Sequence, residues 1–180
     1  MLEKIEFLGG EISPFKNTEK ERALDDLLMI TGRLPDDYRG FLYDYGGVVK
    51  FNCIVIFKGI EMSVWADNKG FDTIDYFYGL LYLNKDYLLA NAINTYKEYF
   101  KMLWIPIGCS SGGNQICLCI KGNKKGSVWF WDHEMDPIIN NKPSSGLTLI
   151  ASSFNEFISK LEKEEVDNSP SKAISISLDF

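Results

Sequence analysis

Residues 104–136, WIPIGCSSGGNQICLCIKGNKKGSVWFWDHEMD, form the densest apolar run in the chain, and their reading decides the fold. Ile105–Gly108 is a short apolar piece, Cys109-Ser-Ser-Gly-Gly113 a turn, and Asn114–Ile120 a second, alternating piece. Lys121-Gly-Asn-Lys-Lys-Gly126 is a charged turn, and Val128–Trp131 a third piece before Asp132-His-Glu-Met-Asp136 turns polar. Runs of this length between glycine-rich turns predict an antiparallel meander rather than helices. In that register Trp129 and Trp131 share one face and Val128 and Phe130 the other, so a sheet covered on both sides is expected.

Working outward, Thr18-Glu-Lys-Glu21 predicts a capping box opening a helix through Leu24, Leu27, Leu28 and Ile30, stopped at Gly32. Leu34, Tyr38, Phe41, Leu42 and Tyr45 follow helical spacing behind Pro35, Asp36 and Asp37, which suit a first turn. Gly46-Gly47 ends that helix. Lys50–Lys58 predicts a buried strand. From Gly59 to Asn84 the pattern is mixed: Val64-Trp65 reads as a short strand, and Asp72–Tyr82 as a strand kinked at Gly79 or an irregular helix. Leu88, Leu89, Ala92, Ile93, Tyr96 and Phe100 predict a helix before the meander. Ser153-Phe-Asn-Glu156 predicts the cap of a last helix through Phe157, Ile158 and Leu161. The fold class expected is α+β, one domain with a central, mostly antiparallel sheet flanked by helices. Residues 1–17 read as a lead-in, 18–163 as the domain, and 164–180 as an extension. In that extension Ile174, Ile176, Leu178 and Phe180 suit an edge strand or a mobile tail.

At 180 residues the chain is long enough to bury a core without disulfides or metals. A net charge of -6 argues against a nucleic-acid binder, whose affinity rests on phosphate neutralisation. No window approaches a membrane span, and Cys53, Cys109, Cys117 and Cys119 read as free thiols of a reducing, cytoplasmic compartment. Cys117 and Cys119 would lie roughly 6.5–7 Å apart on one strand face, which strains a disulfide.

Chemistry is sparse. His133 between Asp132 and Glu134 suggests a general base, with Cys109 or Ser110 as nucleophile, but spacing does not bring them together. Cys109, Cys117, Cys119 and His133 lack the paired turn spacing of structural zinc ligands. Gly108–Gly113 lacks the Gly-Lys-Ser/Thr of a phosphate loop and precedes a strand. No cofactor and no metal are expected. The acids Asp36, Asp37, Asp44, Asp67, Asp72, Asp75, Asp132, Glu134 and Asp136 fall in helix starts, loops and strand ends. Together they form a candidate acidic surface for a basic protein partner.

Two segments resemble a known family. Leu34-Pro-Asp-Asp-Tyr38 with Phe41-Leu42 and Gly46-Gly47 is similar to the opening element of the SUKH superfamily, also called the Smi/Knr family. Ile105-Pro-Ile-Gly108, Gly113-Asn-Gln115 and Val128-Trp-Phe-Trp-Asp-His-Glu134 resemble its later stretch, in the same order. Asn114 departs from the Asp that many members carry. The resemblance implies structural roles for Leu34, Pro35, Tyr38, Phe41, Gly46, Gly47, Pro106, Gly108, Gly113, Trp131 and His133. It also implies an α+β fold without enzyme activity. Many bacterial members are immunity proteins that neutralise a cognate toxin, often a nuclease, by stoichiometric binding. Fungal relatives are regulators, so a regulatory or scaffold module with a housekeeping partner is the alternative.

Overall fold

The structure is a computed structural model describing residues 2–12 and 15–165. The meander is present as β4 (Trp104–Cys109), β5 (Gln115–Cys119) and β6 (Val128–Trp131), each antiparallel to the next. They lie within an eight-stranded sheet ordered β1-β2-β3-β4-β5-β6-β7, with β8 beside β2. The remaining strands are β1 (Gly10–Ile12), β2 (Val49–Lys58), β3 (Phe71–Phe77), β7 (Leu147–Ala151) and β8 (Glu162–Lys163). The named strand pairs are all antiparallel.

The two-faced register holds. Val128, Phe130, Ile116 and Leu118 enter the main core, while Cys117, Trp129 and Trp131 face the other way. That second face is closed by α4 (Leu89–Phe100), whose Phe100 packs edge-on against Trp131 at 5.0 Å. The main core lies under α2 (Asn17–Thr31), α3 (Asp36–Tyr45) and α5 (Phe154–Lys160). On α3, Phe41 meets Phe77 at 5.2 Å and Phe154 at 5.0 Å, and Tyr38 meets Phe154 edge-on at 4.9 Å. Each of these rings contributes about 1.5–3 kcal/mol when fully removed from water.

The glycines and proline of the motif segments have backbone reasons. Gly46 takes φ 68° at the end of α3, where an added Cβ would fall 2.3 Å from the Lys20 side chain. Pro106 sits in a central strand only because the β4–β5 register shifts beside it, between Pro106 and Gly108.

Several expectations need correction. The first long helix begins before Thr18, so the reciprocal carboxylate is Glu19, accepting from the Lys16 amide at 3.1 Å. Glu21 instead accepts from the Tyr43 hydroxyl. Ile30 is 57% exposed rather than part of the apolar stripe. β2 is not buried throughout: its side chains alternate between core and solvent, and its middle bulges, with no pairing to β3 between Lys50 and Val55. Val64-Trp65 is a turn, not a strand. The mixed segment resolves into β3, which stops at Phe77, while Gly79 bridges to Leu88. There a Cβ would lie 2.3 Å from the Gly47 carbonyl carbon, so the chain passes too close for a side chain.

The lead-in is structured, as α1 (Leu2–Phe7) and β1, with Ile5 and Leu8 fully buried. β7 has no counterpart in the sequence reading. Lys163 and Glu162 pair with Val55 and Ile56, and the alternating end from Ala173 to Phe180 lies outside the described residues.

Candidate functional site

Antiparallel order from β2 to β7 places three connections at the same end of the sheet. They are the β2–β3 loop (59–70), the β4–β5 turn (110–114) and the β6–β7 loop (132–146). Together these make a rim, and specific hydrogen bonds fix it. Ser63 Oγ accepts from the Trp65 amide at 3.0 Å and donates to Asp72 Oδ1 at 2.8 Å, tying the loop to β3. Asp67 Oδ1 accepts from the Lys69 and Phe71 amides, both at 2.8 Å. These bonds close a local turn and, the Phe71 amide first, hold the Asp67 carboxyl below its ordinary range. Thr73, Ser111 and Asp75 form a hydroxyl relay joining β3 to the next turn, with Thr73 donating to Ser111 at 3.0 Å and Ser111 to Asp75 at 3.3 Å. The Ile60 and Glu61 amides donate to the Ile150 and Leu149 carbonyls, so the loop also covers the outer edge of β7.

The β4–β5 turn and β6–β7 loop meet through Asn114. Its Oδ1 accepts from the His133 amide at 3.2 Å and lies 2.9 Å from His133 Nδ1, while its Nδ2 donates to the Ser111 carbonyl. An amide oxygen that only accepts makes Nδ1 the protonated nitrogen. Gly113, at φ 90°, passes beneath the same ring. His133 is therefore a fastener between loops and stands 6.2 Å from the Trp65 ring. Cys109 Sγ and Ser110 have no hydrogen bond to it; Cys109 instead contacts Gln115. The pairing of base and nucleophile is not formed. Burial raises the thiols of Cys109, Cys117 and Cys119, keeping them protonated, and all four cysteines are free. Among the described residues, no three His, Cys, Asp or Glu side chains converge as a metal site would require.

The candidate acids do not form one surface. Asp72 is 5% exposed and Asp132 8%, contrary to the expectation that both face solvent. Asp72 points inward because β3 alternates and Ser63 covers it; desolvation raises its carboxyl. Asp132 accepts from the Glu134 amide, turning the chain after β6. Asp36 is ion-paired with Arg33 and Arg39. Asp37 accepts from the Tyr38 and Asn155 amides, clasping α3 to α5. Asp44 is exposed on α3, and Asp136 caps the Ile138 and Ile139 amides. Asp67, Asp72, Asp75, Asp132, Glu134 and Asp136 lie at or beside the rim; Asp36, Asp37 and Asp44 belong to a helix elsewhere.

Sequence reasoning missed the rim's apolar side. Met62, Val64 and Trp65 on one loop, and Met135, Ile138 and Ile139 on another, are exposed, Val64 at 84% and Ile139 at 82%. Exposed apolar side chains held together on structured loops are a feature that protein-contact surfaces share.

Fold and rim together define an α+β scaffold that presents loops from one sheet end; no described helix is long and apolar enough to cross a bilayer. The chain belongs to the SMI1/KNR4 family (SUKH-1), whose model matches residues 19–160. It is also 37% identical over 169 residues to the SPbeta prophage-derived uncharacterized protein YokK of Bacillus subtilis (strain 168), covering 88% of this chain and 81% of that one.

Proposed function

We propose that this protein is an immunity protein that neutralises a cognate bacterial toxin by stoichiometric binding through the loop rim. It acts in the cytoplasm and without catalysis. The observation that carries the reading is the exposed apolar and acidic composition of two loops, 59–70 and 132–146, fastened with the β4–β5 turn at one sheet end. Family membership supports it, since many bacterial members of this family have that role. The prophage origin of the relative fits a gene that protects its carrier. A basic toxin surface is the complement of the rim acids and of the chain's net charge of -6.

The test is co-expression with the product of the adjacent open reading frame. Protection of the host and a 1:1 complex on size exclusion are expected. Val64→Arg and Ile139→Arg should abolish protection while leaving the melting temperature unchanged, because both side chains are solvent-facing. Absence of both protection and complex would sink the proposal.

A further inference from the structure

Between β3 and the β4–β5 turn lies a cavity of about 200 Å³. Trp65 forms one wall, Phe71 and Phe130 are apolar surfaces within it, and Asp67, Asp72 and Ser110 bring polar atoms to it. Three features are unexplained by folding alone. Asp72 is 5% exposed, yet only its Oδ1 is hydrogen-bonded, to Ser63, so Oδ2 has no hydrogen-bond partner among the described residues. Ser110 is 3% exposed, and its hydroxyl makes no hydrogen bond among the described residues either. Asp67 stands exposed beside the cavity, its charge adds to the desolvation that raises the Asp72 carboxyl, and neither belongs to a salt bridge among the described residues. Neither Asp72 Oδ2 nor Ser110 Oγ is sealed from solvent, so each is a hydrogen-bonding position at the cavity that an incoming donor can complete.

The missing complement is a cation that also has an apolar stem and a flat face. We propose that this cavity receives one arginine side chain of the partner protein, its guanidinium stacked on Trp65 and directed at Asp67 and Asp72. The methylenes would lie along Phe71 and Phe130, and Ser110 Oγ would accept one N–H. Arginine fits better than lysine because a planar fork can stack on an indole while donating to two carboxylates. The identity of the partner rests on the immunity reading above, but the pocket's chemistry does not.

The test uses the full ¹⁵N-labelled chain titrated with Nα-acetyl-arginine N-methylamide, followed by the Trp65 indole resonance. Blocked citrulline and blocked lysine serve as parallel probes. A saturable shift centred on Trp65 and the Ser110 amide is expected. Citrulline, matched in shape but uncharged, should bind at least about tenfold more weakly, the equivalent of one charge-assisted hydrogen bond. Trp65→Ala and Asp72→Asn should each remove the response while preserving the rest of the spectrum. An equal response to citrulline or lysine, shifts centred elsewhere, or no saturable shift would overturn the assignment. Because no toxin is present in this experiment, its failure leaves the co-expression result standing, and the reverse also holds.

Discussion

At one end of the sheet the β5–β6 connection runs Lys121-Gly-Asn-Lys-Lys-Gly126, short, basic and satisfied by its own strands. Gly126 donates to the Cys119 carbonyl, Lys124 lies over the Trp129 ring at 5.5 Å, and Lys125 Nζ donates to the Arg33 carbonyl. Nearby backbones touch: Gly79 is pressed on Gly47 and Val48, and Leu81 donates to the Gly46 carbonyl. At the other end the β2–β3 and β6–β7 loops are longer and carry acids, are fixed by side-chain hydrogen bonds, and turn methionine, valine, isoleucine and tryptophan outward. One end of the sheet is thus closed by backbone contacts, and the other holds exposed apolar side chains on hydrogen-bonded loops. A rigid scaffold lets the second carry exposed apolar groups, because the hydrogen bonds at their loop bases hold them in place.

That contrast can be broken most forcefully at the closed end. Phe41→Ala, which empties the meeting point of Phe77, Phe154 and Tyr45, should cost about 3–5 kcal/mol in urea unfolding. Gly79→Ala should cost about 3 kcal/mol, because the clash is with backbone and the strand end has to move. A loss well under 1 kcal/mol in either would mean that this end is not closed as described. At the rim, Asn114→Ala removes the acceptor shared by the His133 amide and ring. About 1–2 kcal/mol is expected, with loss of protection of the His133 amide in hydrogen exchange.

A pH series separates scaffold from rim. Glu156 accepts from the Ser152 hydroxyl, then from Lys160 and the Ser152 amide, which push its carboxyl down to about 2 from 4.5. Its folded value lies below its unfolded one, so its contribution is complete above about 4.5 and fades as pH falls toward about 2. Glu156→Gln should flatten that acid limb in thermal melts. Asp72 carries the opposite sign: desolvation raises it, so its ionised form weakens the fold at neutral pH. Asp72→Asn keeps an acceptor for Ser63 and should leave the melting temperature at pH 7 unchanged or slightly higher. This is the smallest effect, and a clear fall in stability would show that the carboxylate serves the fold rather than a partner.

Much of the scaffold was legible from residue patterns. Alternation in Val128–Trp131 assigned each side chain to the face it occupies, and Leu34 to Gly47 announced α3 with both of its ends. Less of the site was legible. Asp72 and Asp132 look like surface acids in the sequence, because nothing local shows Ser63 folding over one or the Glu134 amide meeting the other. Val64, Met62 and Ile139 look like ordinary apolar residues, since exposure depends on which loop lies above which strand. β7 was missed because five residues between a turn and a helix cap have no periodicity of their own; pairing with β6 makes them a strand.

The sequence by itself determined the α+β class, the two-faced meander, the Ser153 cap of the last helix and the family. Those are set by local periodicity and by backbone geometry that glycine and proline impose within a few residues. Tertiary structure alone decided that loops 59–70, 110–114 and 132–146 share one end, that His133 fastens two of them together, and that Asp72 is buried. Those outcomes depend on contacts between separate segments, Ser63 with Asp72 and Asn114 with His133, which short-range patterns do not encode.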